Sequence, residues 1–172
     1  PTTRLHALYA LQSQDVLNEQ HVAAALRDSS PRVRKHALLL GEPHLPASLE
    51  LQEIVRTMAD DPSSRVRLQL AFTLGSNDFP FRFNPLKQLL LGNPETPLVI
   101  TAIQSALRRG VGSMLAQLTR DSHVVRNPLL HPVLHQLAAQ AGTQGEASEI
   151  APALEALALL ETSEPALSRQ LQ

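Results

Sequence analysis

His131 and His135 are four residues apart and are the pair in this chain best spaced to share a metal ion. On a helix that spacing puts both rings on one face. Two ligands do not complete a site, however. The helical metalloprotease pattern needs a glutamate directly after the first histidine, and Pro132 stands there. The two histidines are therefore the only metal candidates, and packing or surface roles explain them as well. Glu146, Glu149 and Glu155 could supply an acid and a base, but a solvated helix face accounts for the same pattern. The chain has no cysteine. Disulfides, thiolate metal sites, cysteine nucleophiles and thioether-linked haem are all excluded. No glycine-rich phosphate loop and no serine-centred elbow is present. These residues give no catalytic assignment and no cofactor site.

Asp28, Arg34, Asp61 and Arg67 are polar residues with regular spacing. Asp28 to Asp61, Val33 to Val66 and Arg34 to Arg67 are each 33 residues apart. A fixed step of this size marks a repeat architecture. Each copy reads as a polar turn, a cap and an amphipathic helix. The arginine falls early in that helix, near the loop aspartate of its own or an adjacent repeat. A ladder of Asp28, Arg34, Asp61 and Arg67 would tie neighbouring repeats together. The alternative for these arginines is an anion-binding stripe.

Arg4-Leu5-His6-Ala7-Leu8 matches Arg34-Lys35-His36-Ala37-Leu38. The first helix, about Thr3 to Gln12, is then the second helix of a repeat, and the chain reads as a piece of something longer. His6 and His36 hold equivalent positions and should pack equivalently. Asn18 is a good N-cap for a helix from Glu19 to Arg27. Ser30 caps the next helix, with Pro31 at its first position, and Gly41 ends it. Ser48 opens a helix to about Ala59, and Ser63 or Ser64 starts one through Leu74 to Gly75. Phe79, Phe81 and Phe83 alternate as in a strand, but Pro80 interrupts them. We read residues 77–84 as a loop whose phenylalanines plug a gap between repeats. Helices are expected from Pro85 to Leu91, Thr96-Pro97 to Arg108, Gly112 to Thr119, Asn127-Pro128 to Gln140 and Glu146 to Leu160. Asp121 to Arg126 is a degraded repeat turn. Thr143 to Gly145 is a linker, and Ser163 caps a last segment near Glu164-Pro165. Ile100 stands where the first two copies carry arginine.

The predicted fold is all-α: a right-handed α-α superhelix of HEAT-like or armadillo type, formed by residues 1–172 as one domain. Hydrophobic residues make up 43% of the chain but aromatics only 3%, so the core must be Leu, Ala, Val and Ile. Fifteen basic and sixteen acidic side chains give a formal charge of −1. That balance argues against a broad nucleic-acid surface. No apolar run is long enough to span a bilayer, so no direct membrane insertion is expected. Leu5, Leu8 and Leu11 start an apolar face at the first helix, which invites self-association through an unfinished end.

Arg4-Leu5-His6-Ala7-Leu8, Ala25-Leu26-Arg27-Asp28, Val33-Arg34-Lys35-His36-Ala37-Leu38, Asp60-Asp61-Pro62, Arg65-Val66-Arg67-Leu68-Gln69-Leu70-Ala71 and Val125-Arg126-Asn127 occur in this order. Together they resemble the HEAT-repeat region of bacterial putative membrane-bound dehydrogenases, over roughly Arg4 to Leu160. The resemblance implies a parent protein with a dehydrogenase-like propeller, helical repeats and a c-type cytochrome domain. It implies a periplasmic or membrane-associated location and a non-enzymatic spacer role for these repeats, with flanking domains or a protein partner as what they contact. None of that family's functional residues has a counterpart here. The competing class is a HEAT-like enzyme or ligand binder, resembling helical-repeat DNA glycosylases or bilin lyases.

Overall fold

The computed structural model describes residues 2–76 and 79–163. Among them there are eleven α-helices, two short 3-10 turns and no strand. The helices are α1 (Thr2–Ser13), α2 (Glu19–Leu26), α3 (Pro31–Gly41), α4 (Leu49–Thr57), α5 (Ser64–Ser76), α6 (Phe83–Gly92), α7 (Pro97–Ala106), α8 (Val111–Thr119), α9 (Ser122–Val125), α10 (His131–Gln144) and α11 (Ala147–Ser163). The chain divides into two compact units, Pro1–Gly92 and Asn93–Gln172.

In the first unit, contacts run along two rows. One row is α1, α3 and α5; the other is α2, α4 and α6; α2 also packs on α3, and α5 on α6. The amphipathic pattern explains why. Val33, Ala37 and Leu38 of α3 and Val66, Leu70, Ala71 and Leu74 of α5 are all buried. They recur at helical spacing, so each helix presents one apolar arc to its neighbours. On α2 and α4, Val22, Leu26, Leu51 and Val55 close the same core from the other row.

The helix starts show how local chemistry sets the boundaries. Asn18 accepts from the His21 N–H at 3.1 Å, and the His21 ring reaches back to the Asn18 N–H. Ser48 accepts from the Leu51 N–H at 3.1 Å. Ser30 occupies the cap position of α3 with extended backbone, yet its side chain makes no capping bond. Pro31 fills the first helical position, where no N–H is needed, and the turn is held by Asp28, which accepts the Ser30 N–H at 2.7 Å. Asp61 repeats the device on Ser63 at 2.9 Å, and Asp121 on His123 at 2.9 Å.

Several boundaries differ from the expectation. The helix expected from Pro85 starts at Phe83, because proline is tolerated in a first turn. Asn127-Pro128 opens a 3-10 turn, Pro128–Leu130, before α10 begins at His131. Residues 143–144, expected as linker, continue α10, which ends at Gly145 in the left-handed region at φ 69°. The segment expected near Glu164-Pro165 lies outside the described residues.

In the second unit, α8 packs against α9, α10 and α11. Val111, Met114, Leu115 and Leu118 are fully buried there, opposite Leu134, Leu137, Ala156 and Leu160.

Candidate functional site

The most organised polar array is the aspartate–arginine set of the first unit. The polar turn places Asp28 and Asp61 just before α3 and α5, and helical periodicity places Arg34 and Arg67 on the buried side of the first turns. The Arg34 guanidinium donates to both oxygens of Asp61, Nε at 2.7 Å and Nη2 at 2.8 Å. Its third nitrogen donates to the backbone carbonyls of Asp28 at 2.8 Å and Ser29 at 3.2 Å. The arginine of one repeat is thus clamped between its own turn and the carboxylate of the next. Arg67 donates to the Asp61 carbonyl at 2.7 Å, repeating the contact with its own turn. Arg4 holds Asp28 in the same bidentate way, at 2.6 and 2.9 Å. Sequence reasoning left Arg4 out of the ladder, although its match to Arg34 was the signal.

Burial grades the two rungs. Arg34 and Asp61 are 13% and 6% exposed, whereas Arg4 is 54% exposed. Burial by itself would raise Asp61; the hydrogen bonds from Arg34 and from the Ser63 N–H outweigh it and hold the carboxyl below its usual range. Asp28 is lowered first by its hydrogen bond from Arg4 and then by that from the Ser30 N–H. Both carboxylates are committed as acceptors, so neither is placed to move protons for a substrate.

The His131 ring is hydrogen-bonded to the Val125 carbonyl at 2.8 Å, while His135 is exposed. Among the described residues no group of three His, Cys, Asp or Glu side chains could hold a metal ion. His6 and His36 do not pack equivalently. Tyr9 of α1 lies over His36, its hydroxyl 2.7 Å from Nδ1 and the rings edge-on at 5.6 Å, whereas His6 is exposed. Phe79 is buried and stacks on Phe81 at 5.3 Å, and the Arg56 guanidinium lies 5.0 Å from the Phe81 ring centre.

Glu149 departs most from the solvated-face reading. It is buried, and its carboxylate accepts from the Gly110 and Gly112 N–H groups, the latter at 2.8 Å. Those donors open α8, where a helix N-terminus favours negative charge. A carboxylate from α11 therefore occupies this anion site. Gly110 adopts the left-handed region at φ 83°. A Cβ on Gly112 would lie 2.0 Å from the Glu149 carbonyl oxygen, so only glycine admits α11 this closely. The 37-residue separation hid this contact from any local pattern. Glu146 and Glu155 are exposed.

An open apolar groove of about 220 Å³ lies between α1 and α2, lined chiefly by Ala7, Leu8, Leu11, Ala24 and Ala25. Leu5 and Leu8 are themselves buried. No helix among the described residues is long and apolar enough to cross a membrane. Comparison with family models, with curated proteins and with solved structures finds no match to this chain.

Proposed function

We propose that this chain is a non-catalytic helical-repeat scaffold, and that its repeats form a right-handed α-α superhelix of HEAT-like type. The bidentate Arg34–Asp61 pair carries the reading. It spends the inward-facing arginine and the turn aspartate on joining one repeat to the next. The buried carboxylate outside this array, Glu149, is spent on a helix end. A stack of such repeats offers a long, semi-rigid surface suited to protein contact. The role the resemblance suggests is a spacer that holds a dehydrogenase-like domain and a c-type cytochrome domain apart, or that docks a partner protein, in a periplasmic or membrane-associated parent. The groove between α1 and α2 is the surface through which self-association would run.

Two measurements test this. The purified chain, assayed with artificial electron acceptors and examined for retained haem, flavin, quinone or nucleotide, should show no turnover and no stoichiometric cofactor; either one overturns the scaffold. Small-angle scattering should give a radius of gyration above the roughly 16 Å of a compact chain of this length. A compact value would refute the superhelix.

A further inference from the structure

The repeat carries a second arginine at a fixed register. Arg32 and Arg65 are 33 residues apart, two residues ahead of the ladder arginines. The ladder turns Arg34 and Arg67 inward, so periodicity turns Arg32 and Arg65 outward, and both are exposed. With Pro31, Lys35, His36 and Ser63 they line a cleft of about 360 Å³. No carboxylate lines it. Among the described residues, Arg32, Lys35 and Arg65 form no ion pair or side-chain hydrogen bond. Arg32 and Arg65 are each the second residue of a helix, α3 and α5. Cations there oppose the helix dipole, which favours acidic residues at that end. Their placement is thus unfavourable for the helices themselves, and a bound anion would reverse that balance. Burial, and then Lys35 and Arg32, lower the pKa of His36 in the same cleft.

An apolar row borders the cations. Tyr9, Leu39 and Phe72 hold equivalent positions on α1, α3 and α5 and are 39%, 44% and 46% exposed. Leu39 lies seven residues after Arg32, and Phe72 seven after Arg65, so each pair shares one helix face about 10 Å apart along the axis. A free phosphate would use only the cations. Nucleic acid would need a longer basic track than three side chains in a chain of net charge −1. A peptide with carboxylates beside apolar side chains matches both halves.

We infer that the outer face of α3 and α5, from the Arg32–Lys35–Arg65 cleft to Leu39 and Phe72, binds an extended peptide segment combining acidic and apolar residues. This rests on the scaffold reading and names the chemistry of its partner. The test is fluorescence anisotropy with a labelled Glu-Glu-Leu-Glu-Glu-Leu-Glu peptide. R32E/R65E should weaken binding about tenfold or more, and L39S/F72S at least about threefold, while the charge-matched R108E/R120E stays within about twofold of wild type. R32E/R65E should melt no lower than wild type, because glutamate suits both positions; this separates lost binding from lost folding. Absence of peptide binding, equal loss in R108E/R120E, or tighter binding of oligothymidine or inorganic phosphate would each overturn the inference. Such a failure leaves the scaffold reading standing, since that reading is decided by turnover, cofactor content and particle dimensions.

Discussion

Asp61 serves two structural ends with one carboxylate. One oxygen accepts the Ser63 N–H and an Arg34 nitrogen, and the other accepts the Arg34 Nε. Its folded pKa lies below its ordinary value. The stabilisation is therefore complete above the unfolded carboxylate range, near pH 4, and is lost as pH falls through the lower folded value. Asp28 acts in the same direction. Glu42 acts in the opposite one, because burial raises it against hydrogen bonds from Thr73 and Ser76; protonating it on acidification favours the fold. We expect the urea midpoint to fall between about pH 5 and pH 2, less steeply in Asp61→Asn. An identical pH slope in the variant would show that Asp61 contributes nothing to it. Glu149 gives a sharper case at the same scale. Glu149→Gln should cost about 1–3 kcal/mol by weakening charge-assisted bonds to buried N–H groups. Gly112→Ala should cost at least as much, because the clash is with backbone and not with a flexible side chain. Melting temperatures within a degree of wild type for both would remove Glu149 as the lock between α11 and α8.

At the scale of the element, helix starts were legible wherever a single side chain decides them. Asn18 and Ser48 cap as their residue types indicate. Ser30 marks the correct position, but the bond that holds its turn comes from Asp28, two residues earlier. Ser48→Ala should therefore cost about 1 kcal/mol, and Ser30→Ala less than about 0.5 kcal/mol. Equal costs, read from chemical denaturation, would contradict this division. The apolar register was equally plain, since Val33 and Val66 recur in step with the buried arc of their helices. Val66 is completely buried. Val66→Asp should destabilise by more than about 3 kcal/mol, because the carboxylate would enter the core unpaired. A small effect would mean that this face of α5 is open. Contacts between distant elements were not legible. Glu149 looked like part of a polar face, and nothing local marks the glycines that receive it. The difference between His6 and His36 likewise depends on Tyr9, a neighbour that equivalence between repeats does not reveal.

For the whole molecule, the repeat step together with the caps and the helical spacing of the apolar residues made the all-helical architecture readable. It did not reveal which repeat each arginine would grip. The structure does so in the first unit, where Arg4 reaches forward to Asp28 and Arg34 to Asp61. In the second unit Ile100 replaces the arginine, and α8 is held to α11 through Glu149 instead. The apolar stack supplies most of the driving force for folding, and the ladder sets how firmly neighbouring repeats are joined. That coupling is the central claim, and a double-mutant cycle on Arg34→Met and Asp61→Asn, read as global urea stability at neutral pH, tests it most directly. The partly buried bidentate pair should show a coupling energy of about 1–3 kcal/mol, above the roughly 0.2–1 kcal/mol typical of exposed pairs. A coupling near zero for Arg34 and Asp61, with both single variants folded, would contradict the account.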